Sequence, residues 1–320
     1  MNEIPIVIVT PATASSNNGN WHTAARWRSF LSLTTRTEIV EQWDGEPASA
    51  MIALHARRSA ESIARFHLAY PNHPLALVLT GTDIYGDMGD DAVVQHSLAC
   101  ASHLVVLQEE ALTRLSPADC AKARTIVQSA ARTACADTAA HPADFVAVGH
   151  LRDVKDPLTL MQAARLLAHT GIRIVHIGDA LDARLASEAR RTMGECPNYR
   201  WLGGQAQSVA RQWMACARAF VHMSKLEGGA NVVIEAVRSK VPVLASRIDG
   251  NVGLLGADYE GYFPVGDSAR LAQLMQSMVA DLTLAGRLRA QCAMQEGRFS
   301  PAAEQGAVLT LLGDMLDGRF

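Results

Sequence analysis

The chain has 320 residues, 49% of them hydrophobic, which is enough to bury two cores of ordinary size. Its formal net charge of −3 arises from 29 basic and 32 acidic residues spread along the length, so no charged block is present that would follow a nucleic-acid backbone. We therefore expect small-molecule substrates and no nucleic-acid partner.

The N-terminal stretch MNEIPIVIVTP has no basic segment before its short apolar run, which ends at Pro11. That is too short for an export signal or a membrane span, so we expect a cytoplasmic protein without a membrane partner. No two of the six cysteines have C-x-x-C spacing, and we interpret all six as thiols of a reducing compartment.

Short β-rich runs alternate with longer Ala-, Leu- and Arg-containing segments of helical periodicity, which is typical of parallel sheets with crossover helices. In the first half of the chain the predicted strands are 4–10, 38–43, 50–54, 75–80, 103–107 and 124–128. The small, polar stretch TACADTAAHP at 133–142 is interpreted as a linker.

A second series of strands follows the predicted linker. These strands are 145–148, 172–177, 199–202, 219–222, 241–245 and 261–265. The remainder, 268–320, is predicted to be helical throughout. The pattern predicts an α/β fold of two Rossmann-like domains, 1–140 and 141–300, and a C-terminal helix at 301–320 that packs back on the first domain.

In an open parallel sheet, ligands bind beyond the carboxyl ends of the strands, where helix N-termini point into the gap. Five polar or charged stretches follow predicted strands here: PATASSNNGNWH, HARRS, TGTDIY, GHLRDVKDP and KLEGGAN. If the two domains face each other, all five loops line one cleft.

The loop that ends in Asn18, Gly19 and Asn20 is able to turn tightly and to present N–H groups ahead of a helix starting near Thr23. This composition suits an anionic ligand, and it suits an ordinary turn-rich connection equally well. Neither G-x-G-x-x-G nor a P-loop motif occurs, which disfavours a nicotinamide dinucleotide site.

Arg57 and Arg58 directly follow an apolar run, where two adjacent guanidinium groups favour an oxyanion between or beside them. The alternative is a pair of solvated arginines at a helix start. His55 either orients such an anion or is satisfied by the backbone. Thr82 and Asp83, in TGTD, are assigned to the same ligand site in the first domain, although Asp83 serves equally well as a cap for the following segment.

In GHLRDVKDP, Arg152 and Lys155 lie three residues apart, just before a helix opened by Asp156 and Pro157. Two cations so close to a helix start are suited to holding a diphosphate. An isolated R-x-x-K pattern is common, so the position after a predicted strand carries most of this interpretation.

The stretch EGGANVVIE places Glu227 and Glu235 on either side of a glycine pair and a helix start. The glycines let the backbone approach a ligand, and the free N–H groups of the helix favour a phosphate. Carboxylates accept hydrogen bonds only, so their natural partners are sugar and ribose hydroxyls. Otherwise Glu227 is a helix-start charge and Glu235 a solvated residue, but Glu235 lies within an apolar run, where an unpaired carboxylate is costly.

This region resembles the retaining nucleotide-sugar glycosyltransferases of family four, which have the GT-B architecture. The resemblance implies that Glu227 contacts the transferred sugar, that Glu235 binds ribose hydroxyls, and that Arg152 and Lys155 hold the diphosphate. The expected catalytic residues are therefore Glu227, Lys155 and Arg152. The helix-start residues Gly228, Gly229, Ala230 and Asn231 complete the implied donor site. His150 stands where the family usually has arginine, and Leu202 and Gly203 end a strand where the family usually meets the base.

Nearly the whole chain resembles a narrower group, the selenosugar synthases of bacterial selenoneine biosynthesis. The matching stretches include IVTPATASSNNGN, ALHARRSAESIARF, LTGTDIY, HLVVLQ, TIVQSA and VGHLRDVKDP. The resemblance implies transfer of glucose or N-acetylglucosamine from a uridine diphosphate (UDP) sugar to selenophosphate, in a pathway with other selenoneine enzymes.

Selenophosphate, the acceptor in this reaction, is a small anion, so the first-domain residues named above suit it as an acceptor site. Its selenium is already nucleophilic, so a strong general base is not needed. We expect no cofactor and, because no D-x-D occurs, no metal. The alternatives are a conventional UDP-sugar glycosyltransferase with a hydroxyl or thiol acceptor, and a non-catalytic nucleotide-sugar-binding protein.

Overall fold

The computed structural model describes residues 4–11, 19–87, 91–137, 139–140 and 142–318. They divide into two compact units: one runs to Gln128 and resumes at Pro301, and the other is Ser129–Ser300. Each unit has a six-stranded parallel sheet with flanking helices. The predicted α/β architecture of two Rossmann-like domains with a C-terminal helix is confirmed, and each of the twelve predicted strands is present.

The first unit is built on a sheet whose strands are, in chain order, β1 (Ile6–Val9), β2 (Thr37–Val40), β3 (Ala50–Leu54), β4 (Leu75–Val78), β5 (His103–Val106) and β6 (Ala123–Thr125). Its first helices are α1 (Gly19–Leu31), α2 (Ala60–Ala69), α3 (Ala92–Cys100) and α4 (Pro117–Cys120). The spatial order is β2-β1-β3-β4-β5-β6. Every residue of β1, β3, β4 and β5 is buried, as expected for parallel strands covered on both faces.

The second unit repeats this plan with the strands β7 (Phe145–Val148), β8 (Ile174–Ile177), β9 (Tyr199–Trp201), β10 (Ala219–His222), β11 (Val243–Ser246) and β12 (Tyr262–Phe263). Its helices are α5 (Pro157–Leu166), α6 (Ala183–Glu195), α7 (Gln207–Cys216), α8 (Asn231–Arg238), α9 (Asp249–Leu255), α10 (Ser268–Ala280) and α11 (Leu282–Gln295). The order β12-β11-β10-β7-β8-β9 makes β10 and β7 central neighbours. The loops that follow these two strands therefore lie side by side.

The C-terminal helix α12 (Pro301–Asp317) packs on the first unit, in a core shared with α1 and the sheet. Its residues Val308 and Leu311 are fully buried there. Glu304 is also buried, and it accepts hydrogen bonds from the indole of Trp27 at 2.8 Å and from Arg26 at 2.6 Å. The cost of burying this carboxylate is thus offset by two donors from α1.

Part of the segment interpreted as a linker is attached to the second unit. The amide N–H of Ala136 donates to Gln212 at 3.2 Å, and Cys135 forms a disulfide with Cys216, whose Cα lies 4.7 Å away. Our interpretation of all six cysteines as thiols is therefore wrong for this pair. The two residues are 81 positions apart, so only the fold brings them within disulfide range.

Within the described ranges, no helix combines the length and apolar character needed to cross a membrane.

We expect thiol titration to count the cysteines in three steps. Cys120 is exposed, whereas Cys100, Cys196 and Cys292 are buried and burial raises the pKa of each thiol. An aromatic disulfide reagent should therefore react rapidly with one thiol in the native protein, with four in denaturant, and with six after reduction. Six thiols in denaturant without reductant would contradict the disulfide.

Candidate functional site

The loop between β10 and α8 carries the glutamate and the glycine pair of the predicted donor site. Gly228 and Ala230 are buried, and Ala230 is the N-cap residue of α8, with extended backbone and no side-chain cap. The N–H groups of Asn231 and Val232 therefore have no capping side chain and remain available to an anion, whereas the N–H of Val233 donates to the carbonyl of Ala230 at 2.9 Å.

Glu227 forms an ion pair with Lys155, which ends a short 3-10 helix (Asp153–Lys155) after β7. The imidazole Nε2 of His222, the last residue of β10, lies 3.4 Å from the same carboxylate oxygen. Burial raises the pKa of Glu227, but Lys155 and His222 outweigh burial and hold the pKa well below that of an ordinary glutamate. Glu227 is therefore an anion at neutral pH.

This arrangement brings together two of the three residues assigned to catalysis. Lys155 has three N–H donors, of which Glu227 takes one, so the amine is still able to donate to a phosphate. Arg152, the third, is exposed, and among the described residues its side chain makes no ion pair. Arg152 and Lys155 were both expected to hold the diphosphate, but only Lys155 contacts Glu227.

The start of α9 holds the backbone of Glu227 in place from the opposite side. A Cβ atom added to Gly250 would lie 2.2 Å from the carbonyl oxygen of Glu227, so no larger residue fits without a shift. Ser246, at the end of β11, donates a 2.6 Å hydrogen bond to the carbonyl of Ser224 in the same loop. These contacts join the end of β11 and the start of α9 to the loop that carries Glu227.

Glu235 lies on α8 and is 8% exposed, so it is not the solvated residue of the alternative interpretation. Its Oε1 accepts hydrogen bonds from Gln207 at 3.1 Å and from Arg211 at 2.7 Å, both on α7. Its other oxygen, Oε2, has no hydrogen-bond partner within the described part of the chain. The carboxylate is thus neutralised on one side and available as an acceptor on the other.

Sequence analysis missed Gln207 and Arg211. They are four residues apart, which places both on one face of a helix, but that spacing occurs in every surface helix and does not reveal a shared partner. Only the packing of α7 against α8 shows that the pair serves Glu235.

His150, Leu202 and Gly203 lie at the carboxyl ends of β7 and β9. The N–H of Asp179 donates to Nδ1 of His150 at 3.1 Å, and burial is the main reason that the pKa of His150 is lowered. Gly203 has a φ of 69° and accepts a 2.9 Å bond from the N–H of Gly178. The Leu202–Gly203 turn leads into α7, the helix that carries Arg211.

In the first unit, the structure brings His55, Thr82 and Asp83 together. His55 Nδ1 lies 2.8 Å from Asp83, and His55 Nε2 lies 3.2 Å from the hydroxyl of Thr82. Asp83 also accepts bonds from the N–H and hydroxyl of Thr80, so it caps its turn as well as facing the histidine.

The remaining acceptor-side residues are more scattered. Gly19 and Asn20 form the first turn of α1, whereas Asn18 lies outside the described residues. Arg57 and Arg58 are both exposed, and Arg57 forms an ion pair with Asp91, the N-cap residue of α3. The negative group beside Arg57 is thus a carboxylate of the same chain.

We expect Lys155→Met to destabilise the second unit by about 2 kcal/mol at pH 7, because it leaves Glu227 charged without its cation. In the wild type, the lowered pKa of Glu227 contributes stability above the unfolded pKa, and this contribution is lost as pH falls. In the variant, burial is no longer offset by the amine, so the pKa of Glu227 rises above its unfolded value of about 4.3, and the penalty should shrink as pH falls through this raised pKa.

Urea unfolding between pH 7 and pH 4 measures this difference. Lys225→Met is the matched control, since Lys225 is paired with Asp153 at an exposed position, and we expect a change below about 0.5 kcal/mol. A Lys155→Met penalty that is independent of pH would contradict the assignment.

Arg211→Met should likewise cost about 2 kcal/mol in the free energy of unfolding, because Glu235 keeps only Gln207 as a donor. Adding Glu235→Gln should recover part of this loss, since no buried charge then remains. Arg184→Met is the control, with a side chain that is 91% exposed. Additive effects of Arg211→Met and Glu235→Gln in urea unfolding would show that the two groups are not coupled.

Comparison with known proteins extends these observations. Residues 142–281 match the family described as Glycosyl transferases group 1, and this segment contains Lys155, Glu227 and Glu235. The match covers most of the second unit.

The fold as a whole is similar to that of several solved structures. HepE of Anabaena, in complex with UDP and glucose, has 15% sequence identity and a TM-score of 0.76, covering 97% of this chain and 100% of that chain. Sucrose-phosphate synthase from Thermosynechococcus elongatus has 14% identity and a TM-score of 0.73, covering 98% of this chain and 100% of that chain. The pneumococcal O-GlcNAc transferase GtfA, in complex with UDP and GlcNAc, has 15% identity and a TM-score of 0.63, covering 83% of this chain and 57% of that chain.

At these identities the likeness shows the fold. The chain has the GT-B glycosyltransferase architecture, and its second unit carries the segment that matches the group 1 glycosyl transferases.

Proposed function

We propose that the protein is a UDP-sugar-dependent glycosyltransferase that transfers glucose or N-acetylglucosamine to selenophosphate, giving a 1-selenosugar, UDP and phosphate. The observation that carries the donor half of this proposal is the joint position of Glu227, Lys155 and the start of α8, with Glu235 eight residues after Glu227. All four lie in the segment that matches the glycosyl transferase family.

The donor chemistry follows from the charges at this site. The diphosphate of a sugar nucleotide binds at the α8 start, with the Lys155 amine as a further donor. Glu227, anionic beside Lys155, accepts hydrogen bonds from hydroxyls of the transferred sugar, and Oε2 of Glu235 accepts from the ribose. When the bond between C1 and the diphosphate oxygen breaks, the electron pair leaves with UDP, whose new charge Lys155 and the helix N–H groups stabilise.

The acceptor half is supported by the first-unit residues and by the resemblance to selenosugar synthases. Selenium attacks C1 of the sugar, and the selenium–phosphorus bond is then hydrolysed to release phosphate. The cations assigned to this small anion are Arg57 and Arg58. Arg58 is exposed and makes no ion pair among the described residues, whereas Arg57 is paired with Asp91. No metal is required in this scheme.

A second candidate is a conventional transfer to a hydroxyl or thiol acceptor. The observation that favours it is the ion pair between Arg57 and Asp91, because a guanidinium matched by a carboxylate of the same chain attracts an incoming anion less strongly. A third, non-catalytic role would predict donor binding without consumption.

The proposed function is tested by incubating the purified full chain with selenophosphate and either UDP-glucose or UDP-N-acetylglucosamine. We expect release of UDP together with a product whose mass shows the isotope pattern of selenium. Glu227→Gln should lower kcat/KM at least about 100-fold, as loss of a group acting in the transition state does. Arg184→Met serves as an unaffected control.

The outcomes separate the candidates. Faster turnover with alcohols or thiols than with selenophosphate selects the conventional transferase, and tight UDP-sugar binding without turnover selects the binding protein.

Glu235→Ala should weaken UDP binding, whereas Arg57→Ala and Arg58→Ala should raise the acceptor KM. Equal effects of all three changes on both substrates would contradict the assignment of donor and acceptor roles.

A further inference from the structure

The first unit contains a chain of three polar side chains that runs from the protein interior to its surface. His55 follows β3 and Asp83 follows β4, and these strands pair in parallel with Leu54 opposite Val78. His55 is 5% exposed and Asp83 is fully buried, whereas Thr82 is exposed. The chain therefore has one end in the core and one that a ligand is able to reach.

The buried end carries a negative charge. One oxygen of Asp83 accepts from the N–H of Thr80 at 2.8 Å and from its hydroxyl at 2.9 Å, and the other lies 2.8 Å from His55 Nδ1. Burial by itself raises the pKa of Asp83, but His55 and the two Thr80 donors outweigh it, so the pKa lies below the ordinary value. The carboxylate is thus ionised in a site with no solvent contact.

The position of this carboxylate indicates which ring nitrogen of His55 carries a proton. The Asp83 oxygen accepts only, so it favours the imidazole tautomer with the proton on Nδ1, even though the contact departs from ideal hydrogen-bond angles. Nε2 then accepts a hydrogen bond from the hydroxyl of Thr82 at 3.2 Å. The arrangement places a basic nitrogen directly behind an exposed hydroxyl group.

The backbone of His55 has an unfavourable conformation, with the imidazole between Asp83 and Thr82. Its φ of 74° lies in the left-handed region, which costs a non-glycine residue on the order of 1 kcal/mol or more. The N–H of His55 bonds to Val78 at 3.0 Å, and its carbonyl accepts from Ser59 at 3.0 Å. Such outliers persist where the surroundings constrain them, and they are frequent at functional sites.

We propose that His55 and Asp83 form a proton-accepting relay, in which His55 Nε2 takes the proton from an acceptor hydroxyl, thiol or protonated selenophosphate that replaces the Thr82 hydroxyl as its partner. This inference rests on the proposed function and adds a general base to it. As the proton moves to Nε2, the acceptor atom bonds to C1 of the sugar, and the bond from C1 to the diphosphate breaks with its electron pair on UDP. The imidazolium ion, paired with Asp83, then loses its proton to water.

The charge of these side chains determines which kind of anionic acceptor the site favours. With a neutral histidine the three side chains carry one negative charge, which repels an anion. If the anion brings a proton and gives it to Nε2, the histidine becomes a cation between two negative groups. An acceptor that carries a transferable proton is therefore the class that this site fits.

The left-handed backbone allows two substitutions that suit the position. Asparagine and glycine both tolerate positive φ, so His55→Asn and His55→Gly should fold. Asparagine places an amide N–H near Asp83 in place of Nδ1 but cannot accept a proton. We expect His55→Asn to lower kcat about 100- to 10,000-fold, the usual contribution of general base catalysis, with UDP affinity by calorimetry unchanged.

Rescue separates a catalytic role from a merely structural one. His55→Gly leaves a cavity for imidazole, and added imidazole should restore turnover at least about 10-fold in a saturable manner, following the Brønsted dependence of base catalysis. His73→Asn, at an exposed histidine of the same unit that stacks on Tyr70, is the control and should show neither loss nor rescue.

A measurement without substrate completes the test. Long-range ¹⁵N–¹H correlation of labelled histidines, assigned with His55→Asn, should show the Nδ1–H tautomer at His55; an Nε2–H tautomer would overturn the proposal. Wild-type protein that turns over UDP-sugar while His55→Asn is equally active also overturns it, yet leaves the proposed function standing. Wild-type protein that turns over no acceptor contradicts the proposed function itself.

Discussion

The ion pair between Lys155 and Glu227 is the interaction on which the candidate donor site depends. It joins the loops after β7 and β10, the two central strands of the second sheet, and it keeps a largely buried glutamate ionised. Without the amine, burial would favour the protonated acid, which donates where the site needs an acceptor. The same lysine retains two N–H donors, so one cation neutralises the acid and is still able to donate to the phosphate that we propose.

Both units follow one physical rule. Each contains carboxylates with little solvent contact at the ends of parallel strands or on the helix that follows, and each carboxylate has a neighbouring donor that offsets its desolvation: Lys155 for Glu227, Arg211 for Glu235 and His55 for Asp83. These partners orient the acids, and at Glu235 they leave one carboxylate oxygen free. The functional groups are therefore pairs of residues rather than single side chains.

Sequence patterns identified the twelve strands and the loops that carry polar residues, because buried parallel strands are apolar runs and ligand-binding loops follow them. The candidate site residues in those loops were named for the same reason, and their roles stay predictions. The residues that form ion pairs or a disulfide across the chain were not predicted. Arg211 pairs with Glu235 from 24 positions away, Asp91 pairs with Arg57 across α2 and β4, and Cys135 reaches Cys216 over 81 positions.

The amino-acid sequence by itself determined the α/β architecture, the strand positions and the short motif around Glu227 and Glu235, since hydrophobic period and helix-start signals act over a few residues. Only the tertiary structure decided which charges neutralise one another, which carboxylate oxygen stays available, and that His55 lies between Asp83 and Thr82. Electrostatic and hydrogen-bond partnerships depend on distances of about 3 Å between residues remote in the chain, and no local pattern encodes these.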